Sequence, residues 1–123
     1  MGTFHVAVQV GNLRGDRFEF VEALVDTGAR HSIFPADLLR ELGVEPTERL
    51  PFRFADERQR EFDAGIARIR LDSRERYETV VFGDPGMPAL LGAVTLEDFS
   101  LGVDPVGRRL IPVPGLMMGL RRS

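Results

Sequence analysis

The chain has 123 residues, with 19 acidic against 16 basic side chains for a formal net charge of -3, and no cysteine. That length holds about one domain and buries about two thirds of its unfolded surface, enough for one core but too little for a deep private cleft. Multidomain enzymes, disulfides, thiolate metal sites and thiol catalysis are thereby excluded, and the interspersed charges lack the basic stripe of a nucleic-acid partner.

Apolar residues make up 43% and charged residues 28%, a globular composition. Thirteen glycines and eight prolines fall between short apolar segments, the punctuation of a β-rich chain. Phe4, Val6, Val8 and Val10 alternate with His5, Ala7 and Gln9, the period of a half-buried strand. After a turn from Gly11 to Asp16, a second strand runs from Arg17 to Val25. Its apolar pattern slips from Phe18 and Phe20 onto Val21, Ala23 and Val25, which predicts a bulge or burial on both faces.

That strand ends at Asp26-Thr27-Gly28, and one short helix follows. Pro35 suits its first turn, Leu38, Leu39 and Leu42 recur at helical spacing, and Gly43 stands where a left-handed cap belongs. Leu50 to Ala55 and Arg60 to Leu71 read as two strands separated by the polar Asp56-Glu57-Arg58-Gln59, a projecting hairpin. A turn around Asp72 to Arg74 leads to a strand over Tyr77 to Phe82, and Arg74-Glu75-Arg76 reads as solvated. Ala89, Leu90, Leu91 and Gly92 precede a second short helix that Thr95 is placed to cap, with Asp98 in its first turn. A turn at Asp104 to Gly107 joins Leu101 to Val103 with Arg109 to Val113. No stretch of about 18 apolar residues and no apolar leader is present, so a cytoplasmic protein without membrane contact is expected.

The loudest local signal is Leu24-Val25-Asp26-Thr27-Gly28-Ala29. A bare Asp-Thr-Gly is an ordinary turn, but here an apolar strand delivers the carboxylate out of the core. With Ala89-Leu90-Leu91-Gly92 later in the chain, this resembles the retroviral-type aspartic proteases, the retropepsin-like family, over roughly Phe4 to Pro112. The resemblance implies an all-β fold, a small closed β-barrel with two short helices spanning residues 3–113, followed by a tail at 114–123. It also implies an aspartic endopeptidase in which Asp26 activates water. One chain carries one such aspartate, and a shared-proton dyad needs two, so the second Asp26 comes from a symmetry-related copy in a homodimer.

In that resemblance Thr27 ties the two catalytic loops together, Gly28 lets a peptide substrate approach, Ala29 keeps the floor narrow, and Leu91 and Gly92 support the loop from beneath. Asp56, Glu57, Arg58 and Gln59 correspond to the flap, but its tip carries no glycine as retroviral flaps do, and Ala93 stands where retroviral members have an arginine. Val25, Ile33 and Leu90 are expected as apolar groove walls. The apolar tail residues Leu116, Met117, Met118 and Leu120 are candidates for dimer contact. His5 and His31 lack metal-ligand spacing and Ser32 lacks a nucleophile-elbow setting, so no metal or cofactor is implied. The alternative to catalysis is a peptide-binding or dimerisation module on the same fold.

Overall fold

The computed structural model describes residues 3–53 and 56–113. Among the described residues, nine strands and two helices follow in the order β1 (His5–Gly11), β2 (Phe18–Val25), β3 (Ser32–Pro35), α1 (Ala36–Leu42), β4 (Glu48–Arg53), β5 (Gln59–Leu71), β6 (Arg74–Gly83), β7 (Leu90–Leu91), α2 (Ala93–Asp98), β8 (Leu101–Asp104) and β9 (Arg109–Pro112). The expected tail at 114–123 lies outside the described residues. Among the described residues no helix is long and apolar enough to cross a membrane.

One seven-stranded sheet has the order β1-β2-β7-β3-β6-β5-β4, and β1 also pairs with β5. That extra pairing, Gln9 to Gly11 against Arg68 to Arg70, closes six strands into a ring and leaves β4 attached outside on β5. Closure gives each of the six ring strands a neighbour on both sides, while β4 keeps one free edge. The alternation seen in β1 puts Val8 and Val10 inside the ring, where they meet Ala23, Phe34, Ile69, Leu91 and Phe99 in one apolar core.

Local chemistry explains the connections. Asp72 and Ser73 both take left-handed backbone angles, φ 55° and 64°, the two-residue turn whose twist suits a hairpin, and they join Leu71 to its partner Arg74. Strand β6 therefore begins at Arg74, and the run Arg74-Glu75-Arg76 belongs to it rather than to a solvated turn. Arg68 and Arg70 on β5 hold Glu75 across the ladder at 2.9 and 2.8 Å. Helix α1 stops where Gly43, at φ 95°, turns its N–H back to Arg40 O at 3.1 Å while Val44 N–H reaches Leu39 O at 2.9 Å.

Three expectations change. Strand β2 carries no bulge, because its register on β1 is one-to-one from His5–Leu24 to Gly11–Phe18. Val21, Ala23 and Val25 face inward while Phe18 and Phe20 stand on the outer face, Phe20 at 72% exposure and Phe18 beneath the Arg70 guanidinium, 3.5 Å from its ring centre. The apparent slip in pattern is thus apolar residues on the outer face. Between the Asp-Thr-Gly turn and α1 the chain forms a strand, β3, which lies parallel to β6 and meets β7 at Ile33–Leu90. Finally, α2 starts at Ala93 with Gly92 in the capping position, so Thr95 sits inside the helix, buried, and caps nothing.

Candidate active site

Strand β2 ends by delivering Asp26 into a loop that is clamped from below by the second half of the chain. Leu24 and Val25 pair in parallel with Leu90 and Leu91 of β7, and Asp26 N–H donates to Leu91 O at 3.0 Å. The chain then turns tightly, with Ala29 N–H donating to Asp26 O at 3.2 Å. The first N–H groups of a helix have no partner within it. In α2 those of Ala93 and Val94 reach the loop carbonyls of Ala29 and Arg30 at 2.8 and 3.0 Å. Gly92 N–H donates to Ser32 Oγ at 3.0 Å, and Ser32 Oγ shares a 2.7 Å hydrogen bond with Thr95 Oγ1. The loop and the helix start therefore form one hydrogen-bonded unit.

Gly92 is required by that contact. A Cβ there would lie 2.6 Å from His31 O and 2.8 Å from Arg30 O, closer than real side chains approach backbone.

Above the clamp, Gly28 N–H donates to Asp26 Oδ1 at 2.9 Å, which fixes one carboxylate oxygen. Asp26 is half-buried, Thr27 and Gly28 are exposed, and Ala29 is buried. Facing the loop is the hairpin of β4 and β5, paired from Glu48–Ala64 to Arg53–Gln59. At its turn Asp56 accepts from the Arg58 backbone N–H at 3.1 Å and from Arg58 Nε at 2.7 Å, and Glu57 takes the left-handed φ of 71° that a glycine would adopt without strain. The backbone bond and the Arg58 side chain hold the Asp56 carboxyl below its ordinary range. Gln59 is the first residue of β5 and not part of the tip. Between loop and hairpin lies a groove of about 440 Å³ lined by Gly28 to His31 and Leu50 to Arg53.

Residues 11–98 match the family model described as "gag-polyprotein putative aspartyl protease". The chain belongs to that aspartyl protease family. Its fold is that of the retroviral proteases. EIAV protease, solved with the inhibitor HBY-793, superposes with a TM-score of 0.57 at 16% identity over 89% of this chain and 93% of the viral one. Simian foamy virus (mac) protease superposes at 0.53 with 15% identity over 75% and 90% of the respective chains. No curated protein matches the sequence.

In this member of the aspartyl protease family the apolar residues expected as groove walls are placed otherwise. Val25 points into the main core, while Ile33 and Leu90 join Ala29, Phe62 and Val81 in a second small cluster beneath the hairpin. Phe52 packs on that cluster and meets Phe62 edge to face, with ring centres 6.1 Å apart. The groove is walled by the loop and by β4, with the cluster below. Other cavities, about 600 Å³ beside α1 and about 460 Å³ beside the β5–β6 turn, do not touch the Asp26 loop.

Ser32 and Thr95, the buried polar pair under the loop, carry no motif that singles them out, beyond a hydroxyl in the apolar setting of Ile33 and Phe34. Glu78 is a second omission. It lies on β6 at 3% exposure, and its Oε2 has no hydrogen-bond partner among the described residues. Burial first, then the neighbouring Asp98 carboxyl on α2, pushes Glu78 up to about 8, with Thr95 and Arg76 pulling weakly the other way. Glu78 therefore stays protonated at neutral pH. Because the folded value lies above the unfolded one, Glu78 contributes stability that is complete below about pH 4.5 and is lost as pH rises through about 8. Glu78→Gln is expected to remove this dependence, so that thermal melts put the variant roughly 4 kcal/mol above wild type at pH 9 relative to pH 5. Parallel losses in the two proteins over that range would show that Glu78 ionises without strain.

Proposed function

We propose that the chain is an aspartic endopeptidase whose catalytic unit is a homodimer, with the two copies of Asp26 meeting across a two-fold axis to direct one water at a peptide bond. The observation that carries this reading is the setting of Asp26, a half-buried carboxylate with one oxygen held at 2.9 Å by Gly28 N–H, at the end of a strand and beside a groove overhung by a hairpin. Two carboxylates in contact cannot both ionise, so they share a proton. The ionised partner takes a proton from water as the water oxygen attacks the amide carbon, and the protonated partner gives its proton to the carbonyl oxygen. A proton then passes from the dyad to the amide nitrogen while the diol returns one. The C–N bond breaks into amine and carboxylic acid, and the dyad regains its single proton.

One Asp26 per chain leaves the dyad half-built, and the exposure of Thr27 and Gly28 beside it supports a second copy seated there. Ala29 forms the floor, and Leu91 and Gly92 hold the loop by backbone contact. The hairpin turn of Asp56 to Arg58, with Gln59 opening the return strand, serves as the flap, along which an extended peptide adds as a strand.

In solution the chain is expected to have the mass of two copies and to bind a statine-type mimic at least about a hundredfold tighter than the matching peptide. Its rate should follow a bell-shaped pH profile whose two limbs belong to the pair. A monomer that ignores the mimic at every concentration sinks the proteolytic reading. A dimer that binds the plain peptide as tightly as the mimic makes the groove a binding module.

A further inference from the structure

The groove beside Asp26 has an uneven charge. Arg30 borders it from the loop and Arg53 from the end of β4, and among the described residues no carboxylate lines it. All basic side chains of this protein are arginine, and elsewhere among the described residues they are engaged. Arg40 and Arg49 share Asp63, Arg68 and Arg70 share Glu75, Arg58 holds Asp56 and Arg60 holds Asp84. Arg17, Arg76 and Arg108, which form no ion pair among the described residues, donate to backbone carbonyls. Among the described residues only the guanidinium groups of Arg30 and Arg53 make no ion pair, hydrogen bond or ring contact. Both are exposed. In a chain of net charge -3, this groove is lined by two arginines, one on the loop and one on β4.

We propose that this groove selects peptides with an acidic side chain, whose carboxylate is received by Arg30 and Arg53. The inference rests on the groove being the peptide groove of the proposed protease. A guanidinium presents paired N–H donors that match the two oxygens of a carboxylate, and Ala29, Pro51 and Phe52 offer apolar surface to the stem of a glutamate. Asp26 begins the same loop and repels an acid at the scissile bond, so the acidic side chain belongs one or more residues away from it. His31 lines the groove as well, with its Nδ1 buried and without a hydrogen-bond partner among the described residues. Burial first, then the charge of Arg30, holds its imidazole below the ordinary histidine range, against a weaker pull from Glu48. His31 is thus neutral at neutral pH, and the two arginines supply the positive charge.

The test measures binding rather than cleavage. Octapeptides of alternating leucine and alanine, each with one glutamate or one glutamine at a scanned position, are titrated against Asp26→Asn protein by fluorescence anisotropy. At one position or two adjacent positions the glutamate peptide is expected to bind about tenfold tighter, with the advantage shrinking at high salt and vanishing in the Arg30→Gln/Arg53→Gln double variant. Bound glutamate peptide should also raise the NMR titration midpoint of His31, while glutamine peptide leaves it unchanged. A glutamate-to-glutamine ratio near one throughout, a ratio unchanged in the double variant, or no binding of any peptide overturns the proposal. Loss of proteolysis is read separately, by cleavage with wild-type protein, so a charge-selective groove that does not cut and a cutting groove that ignores charge are told apart.

Discussion

Asp26→Asn is expected to lower the rate of peptide-bond cleavage by about a thousandfold or more while leaving fold and assembly in place. The reason lies in what the substitution keeps and what it removes. Asparagine retains an oxygen where Gly28 N–H now donates at 2.9 Å, and Asp26 is otherwise tied to its neighbours through backbone, by its N–H to Leu91 O and its carbonyl to Ala29 N–H. The loop therefore keeps its shape. An amide, however, neither accepts a proton from water nor shares one with its twin, so both proton transfers of the reaction lose their carrier. Initial rates on a peptide library, measured beside circular dichroism and solution mass, decide the matter. Wild-type rates in a folded Asp26→Asn dimer would remove Asp26 from the chemistry.

Gly92→Ala is expected to reduce stability by about 2–4 kcal/mol, a drop in Tm of roughly 10–25 °C for a domain of this size, and to reduce cleavage about a hundredfold at temperatures where the variant is still folded. The added Cβ would meet the backbone of Arg30 and His31 at 2.8 and 2.6 Å. Backbone in this position cannot yield cheaply. Moving it apart strains Gly92 N–H to Ser32 Oγ, Ala93 N–H to Ala29 O and Val94 N–H to Arg30 O together, each worth about 1 kcal/mol. The same shift displaces the loop that aims Asp26. Gly28→Ala is the informative contrast, since its Cβ meets only the Asp26 carboxyl, at 3.2 Å, and should disturb activity far more than stability. A Gly92→Ala protein that melts and cuts like wild type would mean that the clamp is looser than these distances imply.

What the chain reveals before folding is what depends on near neighbours. The alternation of β1, the leucine spacing and Gly43 cap of α1, the polar turn between β4 and β5, and the apolar strand running into Asp26-Thr27-Gly28 are all written over a few consecutive residues, and each is found where its pattern places it. Strand propensity and turn chemistry act at that range. The slip in β2 misleads because outer-face phenylalanines look like core residues until Arg70 is seen stacked on Phe18.

The rest belongs to the tertiary structure. Strands β3 and β7, four and two residues long, exist because parallel partners far away in the chain complete their hydrogen bonds, and backbone bonding of that kind is nearly blind to residue identity. The Ser32–Thr95 contact joins residues 63 apart in sequence, and the burial of Glu78 follows from the docking of α2 on β6. Whether an arginine is neutralised or free likewise depends on where every other charge finishes. Composition shows a mildly acidic chain; only the closed ring of strands, by pairing twelve of the fourteen described arginine side chains with carboxylates, carbonyls or rings and leaving Arg30 and Arg53 without partners, puts unpaired positive charge beside the Asp26 loop.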